Sequence, residues 1–337
     1  MVLRVLRLVA AAAVAFLAGC AGTADAPPNP PADLRVIVFP GGWNLPIWVA
    51  KEKGMFARNG VNVAITDTPN SQFQLTGLIE GKFDIAMTAI DNIVAYREGQ
   101  GAVPVDGSDL VAVMGGDQGF LRLVSVPEVK TIADLRGKTL SVDALTTGYA
   151  FVLLEVMARS GLVLGRDYET VRAGGGMQRY NALLEKKHAA TLLISPLDVL
   201  AQEKGFNRLA DASQALGRYQ GLVAGTRKSW AEKNRPALVG FIRAYAEAVE
   251  WIFDPRNRGE AIAIFMRNTP SATRKSAETA YQVLTHPTEG LQRRAQIDLR
   301  GVQTALDLRS KYGKPQKQLA SPSSYYDARW YDAAMRR

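Results

Sequence analysis

From residue 34 onward, short β-branched apolar runs alternate with longer amphipathic stretches. Apolar runs of roughly four to eight residues bounded by Gly, Pro or Asn are typical of buried strands. Amphipathic stretches of that length or longer are typical of helices that cover a sheet. The alternation therefore predicts βα units around mainly parallel sheets, which is an α/β fold.

The predicted elements fall into two series. In the first series, strands are predicted at 34–39, 61–65, 83–87 and 110–114, with helices at 45–53, 71–80 and 91–98. The second series begins with the apolar segment 120–126 and continues with strands at 138–142 and 190–194 and helices at 147–160, 177–187 and 196–204. A strand at 221–225 is expected to return to the first series.

The last third of the chain has a helical pattern. In residues 236–253, six apolar residues fall on one face at helical spacing, namely Leu238, Phe241, Ile242, Tyr245, Val249 and Ile252. This face is predicted to be core rather than a cofactor site. The C-terminal helices are predicted to pack on the sheet of the first series.

The N-terminus has the pattern of a signal peptide, predicted at 1–19. Arg4 and Arg7 precede an uninterrupted apolar run at 8–18, and no acidic residue is present. That run is shorter than the ~20 apolar residues that a membrane-spanning helix needs. The pattern favours export over a transmembrane anchor.

A lipid anchor is predicted directly after this run. The segment Leu17-Ala18-Gly19-Cys20 resembles the bacterial lipobox, whose cysteine is lipidated, and Cys20 is the only cysteine of the chain. Small residues and prolines follow, so residues 20–33 are predicted to be a tether. We expect a protein that is exported and lipid-anchored to the cell envelope.

Composition excludes few functions. The 337 residues are 47% hydrophobic and 22% charged, which is ordinary for a folded chain with room for two lobes. The formal net charge is +9, but the basic residues are scattered and no nucleic-acid motif surrounds them. Nucleic acid is therefore not expected as a partner.

Several stretches in order carry a family resemblance. They include PIWVAKEKGMF at 46–56, LIEGKFDIA at 78–86 and ADLRGKT at 133–139, followed by 183–196 and 229–253. Together they resemble the periplasmic solute-binding proteins of ABC transporters, of the nitrate, sulfonate and taurine type, a group that also includes thiamine-pyrimidine binders. The resemblance covers most of the chain after residue 34.

The resemblance implies a two-lobed periplasmic-binding-protein fold (type II) and capture of a solute by lobe closure. Lobe one is expected at 34–120 plus 222–337, and lobe two at 121–221. The implied partners are a transporter permease with its ATPase, a monomeric state is expected, and no cofactor is implied. A small anionic or zwitterionic organic solute, such as a sulfonate, nitrate or taurine, is the expected ligand.

Ligand contacts are expected where strands end and loops enter helices, because the first backbone N–H groups of a helix are unpaired and parallel sheets bind ligands at that edge. The turns concerned are 41–44, 70–72, 88–92, 116–117, 146–149, 174–177 and 195–198. The candidate residues are Gly42, Trp43, Asn44, Ser71, Gln72, Thr88, Ala89, Asp91, Asp117, Thr146, Thr147, Tyr149, Met177 and Ser195.

Each candidate has a structural alternative. Ser71, Asp91, Thr147 and Ser195 are good helix N-caps whatever the function. Gly42 could serve only to supply a positive φ, and Trp43 and Tyr149 could be core aromatics. Helix N-termini favour an oxyanion, whereas Asp91 and Asp117 would repel one and favour an amine or a ring N–H, as a pyrimidine offers. The identity of the ligand therefore stays open, with a pyrimidine or other aromatic precursor as the alternative. Arg122 and Arg179 lie close to the turns in sequence.

An enzyme and a ligand sensor are the two other classes of protein that this pattern allows. An enzyme of cofactor biosynthesis could use the same fold, but the export signal argues against it, as does the presence of only His188 and His286 for acid–base work. Neither histidine has metal-ligand spacing, so no metal site is expected. A sensor that reports ligand through closure cannot be distinguished from a transporter subunit by sequence. The prediction is a binding protein rather than an enzyme.

Replacing the predicted lipidation site should release the protein from membranes. We expect Cys20→Ala to shift the protein from the membrane fraction to the soluble extract, because acyl chains contribute ~0.8 kcal/mol per buried methylene to anchoring. Fractionation followed by immunoblotting measures this, with Ser160→Ala as a matched control. Unchanged membrane association of Cys20→Ala would contradict the anchor.

Overall fold

A computed structural model describes residues 30–336. The strands are β1 Ala32–Val38, β2 Val61–Asp67, β3 Ile85–Ala89, β4 Leu110–Gly115, β5 Arg122–Ser125, β6 Lys138–Val142, β7 Tyr168–Arg172, β8 Ala190–Leu193, β9 Asn207–Asp211 and β10 Leu222–Arg227. The helices are α1 Leu45–Glu52, α2 Met55–Arg58, α3 Ser71–Ile79, α4 Ile90–Arg97, α5 Gly148–Arg159, α6 Gly176–Leu184, α7 Leu197–Glu203, α8 Ala212–Leu216, α9 Lys228–Lys233, α10 Arg235–Phe253, α11 Arg258–Asn268, α12 Arg274–Leu284, α13 Leu299–Tyr312 and α14 Ala328–Met335.

The strands form two five-stranded sheets of the same design. The first sheet has the order β2-β1-β3-β10-β4 and the second the order β7-β6-β8-β5-β9. β10 pairs antiparallel with β3 and β4, and β5 pairs antiparallel with β8 and β9, whereas β1, β2 and β3 are mutually parallel, as are β6, β7 and β8. The predicted α/β fold with mainly parallel sheets is confirmed.

The antiparallel strand of each sheet is the one that the chain enters when it crosses from the other sheet. The first crossing lies between β4 and β5, and the second between α8 and β10. We call the first sheet with α1–α4 and α9–α14 lobe one, and the second sheet with α5–α8 lobe two. The boundaries predicted at 120/121 and 221/222 fall within the two crossings.

Burial explains which strands the sequence pattern predicted. Every residue of β3, β4, β5 and β8 is buried, and their sequences are mostly apolar, with Thr88, Arg122, Ser125 and Thr191 as the polar residues. β7 and β9 are the two edges of the second sheet, where most residues are partly or fully exposed. Neither strand was predicted from the sequence, because an edge strand does not need an apolar run.

The C-terminal helices pack on lobe one, as predicted. α10 packs against α1, α2 and α14, and Phe241 on α10 stacks on Phe56 of α2 with ring centroids 5.5 Å apart. All six residues predicted for its core face are buried. Two of these helices also contact lobe two, since α13 packs against both α4 of lobe one and α5 of lobe two, and α12 packs against α7 of lobe two.

Arg309 on α13 joins the two lobes. Its side chain is fully buried, and its guanidinium donates two hydrogen bonds of 2.6 Å to the carboxylate of Asp91 on α4. Nη2 also donates to the carbonyl oxygen of Thr146 in lobe two, at 2.6 Å. The guanidinium carbon lies 4.8 Å from the ring centroid of Phe151 on α5. One side chain therefore satisfies a buried charge in lobe one and a backbone acceptor in lobe two.

The predicted signal peptide, Cys20 and the tether up to residue 29 lie outside the described residues. β1 begins at Ala32, whose N–H donates to the carbonyl oxygen of Gly60 at 3.0 Å, so the end of the predicted tether is part of the first sheet. Within residues 30–336, no helix has both the length and the apolar character needed to cross a bilayer.

Removing the guanidinium of Arg309 should destabilise the protein strongly. We expect Arg309→Met to lower the free energy of unfolding by about 3–5 kcal/mol, because it leaves the carboxylate of Asp91 buried without its partner. Urea denaturation measures the loss. Arg300→Met, an exposed position on the same helix, is the control and should change stability by less than about 0.5 kcal/mol. The double variant Asp91→Leu with Arg309→Met should recover part of the loss, and no recovery would contradict this explanation.

Candidate functional site

A cavity lies between the lobes, where the carboxyl ends of the parallel strands face each other. Its empty volume is about 660 Å³, part of which is open to solvent. Lobe one contributes Phe39, Trp43, Ala89, Asn92, Asp117 and Leu222. Lobe two contributes Asp143, Thr147, Gly148, Tyr149, Gly176, Arg179, Ile194 and Leu197.

Strand topology brings these residues together. Phe39, Asp117, Asp143 and Ile194 come one or two residues after the ends of β1, β4, β6 and β8. Leu222 is the first residue of β10, which runs antiparallel, so its beginning lies at the same edge as the other strands' ends. The cavity therefore occupies the position where parallel sheets bind ligands.

Five of the fourteen predicted contact residues line this cavity: Trp43, Ala89, Asp117, Thr147 and Tyr149. Two others, Asn44 and Met177, line an outer groove with an empty volume of about 1310 Å³ that shares Leu197 with the cavity.

Five of the remaining candidates take part in direct contacts between the lobes. The Gly42 N–H donates to the Ser195 carbonyl oxygen at 3.1 Å. The Ser71 N–H donates to Asp143 Oδ2 at 3.3 Å. Gln72 Oε1 accepts a hydrogen bond of 3.2 Å from Arg172, and the Thr146 carbonyl oxygen accepts one from Arg309. These residues lie in the predicted turns, but at these positions the two lobes contact each other directly.

Two further candidates are buried behind the cavity wall. The carboxylate of Asp91 is held by Arg309, so it does not line the cavity. Thr88 is fully buried, and its hydroxyl accepts a hydrogen bond of 2.9 Å from Asn92 Nδ2. Asn92, its neighbour in the same turn, lines the cavity.

Glycines permit the close approach of the lobes. A Cβ at Gly148 would lie 2.4 Å from Asp91 Cβ, and a Cβ at Gly42 would lie 2.8 Å from the Ser195 carbonyl oxygen. Both distances are too short for non-bonded carbon or oxygen atoms, so larger residues at 42 or 148 would hold the lobes apart.

Arg179 supplies the positive charge of the cavity lining. Its side chain is buried, and its guanidinium donates to the carbonyl oxygens of Gly174 and Leu192, at 2.8 and 3.2 Å. No carboxylate among residues 30–336 lies within 4.0 Å of it. Burial lowers the pKa of this guanidinium, which still leaves it charged at neutral pH. From the sequence, this residue was recognised only as a neighbour of the predicted turns.

Two carboxylates oppose this charge. Asp117 Oδ1 accepts hydrogen bonds from the N–H group of Gly119 in the first crossing, at 2.7 Å, and from that of Leu222 at the start of β10, at 3.2 Å. Burial raises the pKa of Asp117 to about 6, and these two hydrogen bonds limit the rise. Asp143 Oδ1 is buried and has no hydrogen-bond partner among the described residues. The cavity lining therefore has two carboxyl groups and one guanidinium.

The rest of the lining is largely apolar and aromatic. Phe39, Trp43 and Tyr149 provide rings, and Ile194, Leu197 and Leu222 provide aliphatic side chains. Trp43 Nε1 is buried without a hydrogen-bond partner within residues 30–336. A planar solute with polar groups at its edge would match these walls.

Sequence reasoning missed Phe39, Asp143, Ile194 and Leu222. Asp143 had a usable signal, since it is a carboxylate directly after the predicted strand 138–142, as Asp117 is a carboxylate three positions after the predicted strand 110–114. The three apolar residues had none, because an apolar residue at a strand end is indistinguishable in sequence from core. Arg122, the other arginine noted near the turns, lies 3.4 Å from Asp211 in an ion pair and does not line the cavity.

Among the described residues, no group of three or more His, Cys, Asp or Glu side chains is placed to hold a metal ion. His188 and His286 also lie away from the cavity lining. The arrangement provides hydrogen-bond donors and acceptors around an apolar space, which suits binding.

Solved structures resemble this fold at low sequence identity. The periplasmic nitrate-binding protein NrtA from Synechocystis PCC 6803 has a TM-score of 0.72 and 13% identity, with 83% of this chain and 80% of that chain covered. The alkanesulfonate-binding protein SsuA from Xanthomonas axonopodis pv. citri, bound to MOPS, has a TM-score of 0.70 and 18% identity, with 88% and 98% covered. The ligand-binding component of an ABC-type import system from Staphylococcus aureus has a TM-score of 0.75 and 13% identity, with 91% and 100% covered.

These likenesses confirm the predicted two-lobed periplasmic-binding-protein fold. No curated protein sequence matches the chain significantly. The family model described as NMT1/THI5 like matches residues 44–257, which include every residue of the cavity lining except Phe39 and Trp43. Because this match spans more than half of the sequence, the chain belongs to the NMT1/THI5-like family.

Proposed function

We propose that this protein is an exported solute-binding lipoprotein that captures a small molecule between its lobes and delivers it to an ABC importer. The main support is the cavity, whose lining comes from both lobes. A ligand that bridges the lobes binds the closed arrangement more tightly than an open one. The relatives with this fold, described as nitrate-binding, alkanesulfonate-binding and import components, support the transport role. Cys20 would anchor the protein beside its permease and ATPase.

The charges of the cavity favour a ligand with N–H donors over a simple anion. An anion beside Arg179 would also lie near Asp117 and Asp143, and two like charges 5 Å apart repel by about 3 kcal/mol at an effective dielectric constant of 20. An amino group or ring N–H would instead donate to these carboxylates. We therefore place an amino-substituted heteroaromatic ring, of the pyrimidine type, ahead of nitrate or an alkanesulfonate.

A zwitterion such as taurine is the second candidate. Its sulfonate could accept hydrogen bonds from Arg179, while its ammonium group donates to Asp117 or Asp143. The aromatic and aliphatic walls favour the ring over this small and strongly hydrated solute.

A thermal-shift panel separates these ligand classes. Purified Cys20→Ala protein is mixed with nitrate, ethanesulfonate, taurine, cytosine or 4-aminopyrimidine at pH 8. A ligand present at 100 times its Kd should stabilise the protein by about 2.7 kcal/mol and raise Tm by about 5 °C. We expect the aminopyrimidines to produce the largest rise. A response to nitrate or ethanesulfonate alone would contradict the proposed ligand class, and chemical change of a bound compound, followed by mass spectrometry, would contradict a binding role.

The affinity for such a ligand should depend on Asp117. A donor on the ligand favours the ionised carboxylate, so binding should weaken as pH falls through about 6, where Asp117 becomes protonated in the free protein. We expect up to a tenfold loss per pH unit between 6 and 5, measured by calorimetry with a ligand that does not itself titrate in this range.

Asp117→Asn should remove this pH dependence, because its amide oxygen can still accept from Gly119 and Leu222 but does not titrate. Asp307→Asn, at an exposed position on α13, is the matched control and should keep the dependence of the unmodified protein. An unchanged pH profile in Asp117→Asn would show that the proton is bound elsewhere.

A further inference from the structure

A second, smaller cavity lies next to the main one inside lobe two. It is bounded by Ser141, Asp143, Tyr149, Leu153, Arg179 and Leu192, and its empty volume of about 190 Å³ is less than a third of the main cavity's. We call it the inner chamber. Asp143, Tyr149 and Arg179 line both spaces, so these three residues form the boundary between them.

Two residues that line the inner chamber each have a buried polar atom without a protein partner. Ser141 Oγ and Asp143 Oδ1 have no hydrogen-bond partner among residues 30–336, although Ser141 is 1% and Asp143 8% exposed. Leaving such a group unpaired destabilises the protein, and more so when the group is charged. Ser141 and Asp143 are two positions apart, Ser141 in β6 and Asp143 just beyond its end, so they can share one face of the extended chain.

Arg179 provides donors on the other side of the chamber. A guanidinium has five N–H donors, and the contacts with Gly174 and Leu192 use two of them. Arg179 and Asp143 both line the chamber, yet within the described chain their charged atoms are not within 4.0 Å of each other. The residues that border the chamber thus include a carboxylate acceptor (Asp143), a hydroxyl (Ser141) and a fixed guanidinium donor (Arg179).

We propose that the inner chamber is a specificity subsite that takes one small amino or hydroxyl substituent of the ligand. Such a group donates to Asp143 Oδ1 and exchanges a hydrogen bond with Ser141 Oγ, while the ligand's ring stays in the main cavity. A methyl group of the same size leaves both protein atoms unpaired, so the site discriminates against it. This inference rests on the proposed binding function and names the residues that set its selectivity.

A matched pair of probes tests the subsite. Full-length protein, purified in detergent, is titrated by calorimetry with 4-aminopyrimidine and with 4-methylpyrimidine at pH 8. We expect the amino compound to bind roughly tenfold or more tightly, because a hydrogen bond to a charged partner is worth that factor or more. Equal affinities would overturn the subsite while leaving the proposed function intact. Failure of both compounds to bind would reject the ligand class, and the subsite with it.

Two substitutions at Ser141 test whether the preference for the amino compound over the methyl compound arises in the inner chamber. Ser141→Val fills the space and removes the hydroxyl, so the preference for the amino compound should fall to less than threefold. Ser141→Ala keeps the space and should retain part of the preference, which guards against a folding defect in the valine variant. Thr139→Val, at an exposed position on the same strand, is the control and should retain all of it. Full preference in a folded Ser141→Val protein would overturn the proposal, as would a crystal structure with water in the chamber and the amino group elsewhere.

Discussion

The guanidinium of Arg309 lies at the junction of the two lobes, and the closed arrangement depends on it. Asp91 neutralises its charge from lobe one, while the Thr146 carbonyl oxygen and the Phe151 ring contact it from lobe two. A charge this deeply buried is stable only when its partners are all in place. Separating the lobes would remove the lobe-two contacts and expose the ion pair to water, so the opening of the cleft is coupled to the solvation of this pair.

The cavity exists because turns of lobe one and lobe two come into contact without filling the space between the lobes. Gly42 and Gly148 allow backbone and side-chain atoms to come within contact distance across the cleft. Trp43 and Tyr149, the residues that follow them, then point large rings at the enclosed space. Small residues thus set how near the lobes come, and their aromatic neighbours define the walls that a solute would meet.

Charge gives this space its chemical selectivity. Arg179 is fixed by backbone carbonyl groups rather than by a carboxylate, so its charge acts on whatever enters the cavity. Asp117 is tied to the first crossing and to the start of β10, while Asp143 keeps one oxygen without a partner. A chain whose overall charge is +9 therefore encloses a cavity with more carboxylates than guanidinium groups. Net charge is a sum over the whole chain and does not predict the charge of one buried site.

The sequence by itself determined the βα series, the return strand, the helical C-terminus and the corners where the cavity lies, because buried strands and amphipathic helices have periodic patterns. It could not determine the edge strands β7 and β9, whose exposed residues follow no such pattern. Nor could it show which residues of the predicted turns line the cavity and which bond to other parts of the protein. Only the tertiary structure decided that Asp91 pairs with an arginine 218 positions away while Asp117 and Asp143 face the cavity, because hydrogen bonds between distant segments depend on how the lobes pack.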